Sequence, residues 1–230
     1  MNFAELRFWE YLIGGGALLL VLRLVLLRFG HVNPERLDKS LLLTLGLSLL
    51  ALVSWTTFFI FLAVAIGTYV GLAWIQRYHA RHSLKYLVVL VPLQLAPLFY
   101  FKYGDFVVNR VAGFDFDVLR GLVIPVGISF YTFQKVAFVV DTLVFKQPRP
   151  RFLDYMNFAG FFPQIVAGPI ERRANLLPQM ERFRWRWLPD KIDEGAGWIA
   201  VGLFFKCCLA NNLARYSDYG SLTNPYLVWL

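Results

Sequence analysis

The sequence predicts an all-α fold, a polytopic transmembrane helical bundle that carries one re-entrant or broken helix near the segment FFPQIVAGPI. Three observations lead there. Apolar residues make up 58% of the chain, and several uninterrupted apolar runs approach the roughly 20 residues needed to cross a hydrocarbon layer. Charged residues make up only 17%, too few to clothe a soluble domain of this length, which ordinarily carries about 25%. The basic residues fall between the apolar runs, where membrane topology puts them. The net charge of +8 therefore reads as juxtamembrane charge, and no nucleic-acid partner is expected.

The first expected span runs from about Tyr11 to Phe29, with Arg23 near its end and able to snorkel to the interface. The ten residues MNFAELRFWE carry Glu5 and Glu10 beside Arg7 and lack a basic leader, and the apolar run ends in Arg28 and a polar loop without a small-residue cleavage site. That pattern predicts a retained span and not a cleaved signal peptide. A polar turn, His31 to Ser40, follows, in which Asn33-Pro34 can cap and start a short helix. Leu41 to Gln76 is too long for one crossing at 1.5 Å per residue. It divides into two spans that meet at Val53-Ser54-Trp55-Thr56-Thr57, a polar and aromatic corner suited to an interface. After the basic loop Arg77 to Lys85, with Ser83 as a cap, a fourth span covers about Leu84 to Phe101, bent by Pro92 and Pro97.

Lys102 to Arg120 reads as a polar loop with Asp105, Asp115 and Asp117. A fifth span, about Gly121 to Phe145, enters through Pro125 and Gly127. The basic loop Lys146 to Arg151 precedes FLDYMNFAGFFPQIVAGPI, apolar yet broken by Pro163, Gly168 and Pro169. A last apolar stretch, about Gly195 to Ala214, opens after Asp190 as its N-cap and contains Lys206 and the adjacent Cys207 and Cys208, which cannot readily pair with each other. With alternating spans, one face gathers Arg28, Arg36, Lys39, Arg77, Arg81, Lys85, Lys146, Arg149 and Arg151. The other holds Arg7, Lys102, Arg110 and Arg120. The positive-inside rule then puts the N-terminus outside the cytoplasm.

Three places depart from a plain span. Gln134, Lys135 and Asp141 fall at or near membrane depth in the fifth span, where polar groups are costly. They read either as cavity lining or as interhelical hydrogen-bond glue, with Lys135 snorkelling. In FFPQIVAGPIERR, Pro163 removes a backbone donor and Gly168-Pro169 ends any helix. Such backbone is tolerated at depth only inside protein or along a cavity, so the segment is expected to turn Gln164 toward the interior; a surface loop is the alternative. Finally, Arg182, Arg184, Trp185 and Arg186 interleave arginine with aromatics. That pattern suits an interfacial anchor on anionic headgroups, or a cytoplasmic anion site for a phosphorylated donor. No metal site is expected: His79 and His82 lack a third ligand of suitable spacing, and His31 stands alone.

PVGISFYTFQ (Pro125–Gln134), Val140-Asp141 and FLDYMNFAGFFPQIVAGPI (Phe152–Ile170) resemble the membrane-bound O-acyltransferase superfamily, in its alginate O-acetyltransferase-like branch. The D-alanyl transferases of teichoic acid are more distantly similar. The FFPQ-x-x-AGPI run is the most specific element, and SLLALVSWTTFFIFLAVAIGTYVGLAW and FKYGDF fit in order and spacing. The resemblance implies an enzyme of the bacterial inner membrane that O-acetylates an exported polysaccharide. It implies acetyl-CoA as acyl donor, used as a substrate with no cofactor bound, and an extracytoplasmic acetyl-accepting or polysaccharide-modifying partner protein. The family's catalytic histidine follows an F-W-R-R-W-H-like stretch that has no counterpart here, and His31, His79 and His82 stand in no matching motif. Residues 1–230 are therefore expected to form the N-terminal part of a single transmembrane domain, inactive alone, with no catalytic residue of its own. Tyr131, Gln134, Asp141, Gln164, Gly168 and Pro169 are the expected tunnel or substrate lining. A non-catalytic scaffold or a transporter half is the competing reading, although a transporter should show a broken helix in each of two repeats.

Overall fold

The computed structural model describes residues 6–30, 32–79, 84–114, 122–166 and 171–213. Of the sequence expectations, those on His31, Arg81, His82, Ser83, Asp115, Asp117, Arg120, Gly168 and Pro169 lie outside these residues. The described residues are helical and contain no strand. They divide into two compact units, Leu12–Arg184 and a smaller one made from the two ends of the chain, Met1–Tyr11 with Trp185–Leu230.

In the larger unit the helices follow the sequence order, with four departures from expectation. Helix α1 is Leu6–Phe29. Helix α2 is Pro34–Val53, capped by the Asn33 side chain, which accepts from the Glu35 amide at 2.9 Å. It is a 20-residue helix and not the expected short one, because Asp38 and Lys39, which read as loop residues, find partners inside the protein. Arg23 does not snorkel: its Nε donates to Asp38 Oδ1 at 2.5 Å. The expected division of the long apolar stretch falls at Ser54, in extended backbone (φ −169°), whose hydroxyl accepts from Thr57 N and starts α3, Trp55–Tyr78.

Helix α4, Leu87–Leu98, contains Pro92 and Pro97. It runs on through wide π turns, Phe99–Tyr103 and Phe106–Val111, where a loop was expected from Lys102. A proline cannot donate to the preceding turn, and a π turn is a common way for a helix to absorb that irregularity. The polar residues there satisfy one another on the helix, as when Asn109 donates to Asp105 at 2.8 Å. Helix α5 is Ile128–Leu143, shorter than the expected span because the backbone before it is not helical and Gly127 is left-handed (φ 70°). Its 16 residues reach about 24 Å, less than the ~30 Å of a hydrocarbon core.

The apolar segment after Arg151 is broken, but at Gly160-Phe161 and not at Pro163, which sits in the first turn of α7: α6 is Phe152–Ala159 and α7 is Phe162–Val166, and the break expected at Gly168-Pro169 lies outside the described residues. A Cβ on Gly46 of α2 would lie 2.7 Å from the Gly160 carbonyl oxygen, so the break packs directly on that helix. Helix α8, Arg173–Glu181, completes the unit. The core lies around α5, where Phe61, Ala65, Tyr131, Phe138, Val139, Tyr155 and Phe158 are all buried.

The smaller unit contains α9, Pro189–Phe204, followed by a π turn Phe205–Ala210 and a last turn, Asn211–Leu213. Pro189 occupies the first turn with Leu188 before it, so Asp190 lies within the helix and is not its N-cap. Cys207 and Cys208 are free and exposed. Across the described residues four helices are long and apolar enough to cross a membrane: Arg7–Phe29, Trp55–Tyr78, Leu84–Tyr103 and Pro189–Leu213. Of the six expected spans, α2 and α5 fall outside this set. One begins with four charged residues among its first six and the other is too short.

Candidate functional site

The polar residues that looked costly in the sequence meet inside the larger unit. Helix α5 places Gln134 on its buried face, opposite the break between α6 and α7. Its Nε2 donates to Gln164 Oε1 at 2.8 Å and to the Phe158 carbonyl at 3.2 Å. Gln164 is buried on α7 and its Nε2 reaches the Glu171 carbonyl at 3.4 Å. The Gln134 Oε1 is buried without a hydrogen-bond partner, an uncommon and costly condition for an amide oxygen.

Two clefts flank this amide pair. One, of about 410 Å³, is lined by Gln134, Phe138, Asp141, Gln147, Glu171 and Arg172 among others. The other, of about 520 Å³, is lined by Phe161, Pro163, Gln164, Glu171, Asn175 and Gln179 among others. Glu171 borders both. Asp141 is half-buried, and its charge favours the protonated guanidinium of Arg173 against the burial that pulls that group's pKa down. Arg173 donates to Thr142 Oγ1 at 2.8 Å and to the Pro148 carbonyl, and lies over the Phe138 ring, so it fastens α8 to the end of α5.

Tyr131 is buried with its ring edge-on to Phe61, and its hydroxyl has no partner. It borders neither cleft. Lys135 does not snorkel. It is 1% exposed, with Nζ 4.2 Å from the Phe61 ring centre and 5.0 Å from that of Tyr131, and it donates to the Tyr131 carbonyl at 3.3 Å. Aromatic rings line the Lys135 amine where a carboxylate usually would stand.

A second polar group was not read from the sequence. Lys39 Nζ lies 2.7 Å from Asp154 Oδ1 and 3.0 Å from Glu35 Oε1, and Arg184 lies 2.7 Å from the other Glu35 oxygen. Asn157 adds a hydrogen bond to the Lys39 carbonyl at 3.0 Å. Hydrogen bonds from Arg184 and then Lys39 pull the Glu35 carboxyl down to about 2. This chain of alternating charge ties the start of α2 to the broken segment. The only sequence sign of it was a carboxylate, Asp154, inside an apolar run. Of the arginine-aromatic stretch, Arg184 is consumed in this cluster, whereas Arg182 and Arg186 are exposed and Trp185 is half-buried. His79 packs against the rings of Trp74 and Tyr86.

These features define a helical membrane protein whose buried amides and ion pairs converge on a broken segment between two open clefts. A "Probable alginate O-acetylase AlgI" of Azotobacter vinelandii is 30% identical over 201 residues, 82% of this chain and 39% of that protein. A protein of the same name from Pseudomonas aeruginosa is 31% identical over 170 residues, 70% of this chain and 31% of that protein. A peptidoglycan O-acetyltransferase of Helicobacter pylori is 28% identical over 187 residues, 69% of this chain and 35% of that protein. No protein-family model and no solved structure matches the chain. The chain is a relative of the alginate O-acetylase-like branch of the membrane-bound O-acyltransferases, and it spans about a third of the length of the curated relatives it matches.

Proposed function

We propose that this chain is the donor-handling part of a membrane O-acetyltransferase, which takes acetyl from a cytoplasmic thioester, acetyl-CoA, and delivers it across a bacterial inner membrane to an exported polysaccharide resembling alginate. The single observation that carries the reading is the likeness to O-acetyltransferases over most of the chain. The paired amides Gln134 and Gln164, each lining one of two neighbouring clefts, support it. Gln134, Asp141 and Gln164 line the donor path, and Gly168 and Pro169 stay within this proposal as lining residues. Tyr131 acts from behind by packing. The basic loops face the cytoplasm, the N-terminus lies outside, and an extracytoplasmic protein takes up or passes on the acetyl group. Arg182 and Arg186, with Trp185, hold the cytoplasmic interface.

Transfer from a thioester to a hydroxyl needs a base for the hydroxyl proton, most often histidine. Among the described residues, His79 packs against two aromatic rings outside both clefts; residues 1–230 alone are expected to transfer no acetyl. The test is incorporation of labelled acetyl from acetyl-CoA into polysaccharide by membranes containing the protein expressed from its whole reading frame. Labelled polysaccharide above the background of empty membranes supports the enzyme. No label, with the protein still binding an extracytoplasmic partner, supports a scaffold instead.

A further inference from the structure

The hydrogen-bond inventory of the two glutamines is unbalanced in a specific way. Gln134 Nε2 spends both protons, on Gln164 Oε1 and the Phe158 carbonyl, while Gln134 Oε1 accepts nothing. Gln164 Nε2 spends one proton on a long 3.4 Å contact to the Glu171 carbonyl and keeps the other. The pair thus presents one free acceptor and one free donor on neighbouring side chains. A secondary amide has the complementary pair, a carbonyl oxygen and an N–H. A buried amide oxygen left without a donor is costly, so a ligand that supplies an N–H recovers free energy that water reaching an open cleft supplies less completely.

The placement of the pair matters as much. Gln134 lines one cleft, Gln164 lines the other, and Glu171 lines both, so the 2.8 Å amide-to-amide bond lies on the wall between them. We propose that the Gln134–Gln164 bridge is a ligand-operated gate that reads secondary amides: a chain-like ligand exchanges its own amide for the bridge and joins the two clefts into one passage. This inference rests on the donor reading, because the ligand class it selects is a thioester carried on an amide-containing arm. A neutral hydrogen-bonding gate has an advantage here. It opens by swapping one amide contact for another, with no charge to be exposed in a low-dielectric interior.

The test compares two probes on the protein purified from its whole reading frame: a non-transferable thioether analogue of acetyl-CoA, and the same analogue with both arm amides replaced by esters. The wild type is expected to bind the amide probe about tenfold more tightly. Gln134→Leu removes the Oε1 acceptor that the ligand N–H would meet and is expected to bind the two equally. Gln134→Met keeps the side chain's length, adds no charge and removes the Oε1 acceptor, so it preserves the packing and should also lose the preference. A preference that survives in both variants overturns the gate and leaves the donor reading standing. Equal binding of both probes by the wild type does the same. If the wild type binds neither probe, the donor reading fails and the gate with it.

Discussion

Replacing Gly127 by alanine should cost far more than its size suggests, for two separable reasons. Gly127 has φ 70° and ψ 8°, a left-handed conformation that costs a residue bearing a Cβ about 1–2 kcal/mol. In addition, that Cβ would lie 2.2 Å from the Ile165 carbonyl oxygen and 3.2 Å from the Ile165 carbonyl carbon and Cγ2. A backbone oxygen cannot swing aside as a long side chain can, so α7 or the turn before α5 must shift, an overpacking penalty of about 1–3 kcal/mol. The sum is about 2–5 kcal/mol. Gly113 is the internal control, since it is also left-handed at φ 73° but has nothing within 4 Å of its Cβ position. Thermal unfolding in detergent should therefore rank Gly127→Ala well below Gly113→Ala, which loses only the first contribution. The displaced α7 carries Gln164, so Gly127→Ala should also abolish any function that depends on the Gln134–Gln164 bond. Equal melting temperatures for the two variants would refute the contact between the turn and α7.

The ion cluster gives further expectations. Lys39→Met strands the buried Asp154 carboxylate and should destabilise by about 3–5 kcal/mol in denaturant titrations, while Lys39→Met combined with Asp154→Leu should recover much of the loss. Because Glu35 is held down to about 2 in the folded protein, below its usual range, its stabilising contribution is complete above about pH 4.5 and is lost as pH falls toward 2. Melting temperature measured from pH 6 to pH 2 should fall through that window, and Glu35→Gln should flatten the fall. The purified 230-residue chain should release or transfer no acetyl from labelled acetyl-CoA above a no-protein control.

How far the sequence reaches depends on whether a residue's partner is local. The division at Ser54 was legible because the cap, the hydroxyl and the aromatic corner are contiguous. The break in the next apolar segment was legible only in part: Pro163 marked the neighbourhood through its own backbone, but the helix stops at Gly160-Phe161 and Pro163 sits in the first turn of α7. The start of α2 misleads because Asp38 and Lys39 are partnered by Arg23 and Asp154, far away in the chain, and charge that is neutralised in three dimensions looks like loop charge in one. Gln134 and Gln164 stood out singly as polar residues in apolar surroundings. Their mutual hydrogen bond, 30 residues apart in sequence, needed the fold. The burial of Lys135 was equally hidden, since ammonium groups of lysine usually reach water along their own stems and nothing local marks Phe61 as the ring that holds this one.

The central claim is that acetyl moves from a donor on the basic face to an acceptor on the other. Sealed inside-out vesicles containing the protein, with unlabelled polysaccharide acceptor and its partner protein trapped within, should acquire label when acetyl-CoA is supplied only to the outer, cytoplasmic surface. Gln164→Leu vesicles should acquire far less. Label that appears only when donor and acceptor share one compartment would contradict transfer across the membrane and the assignment of these residues to its path.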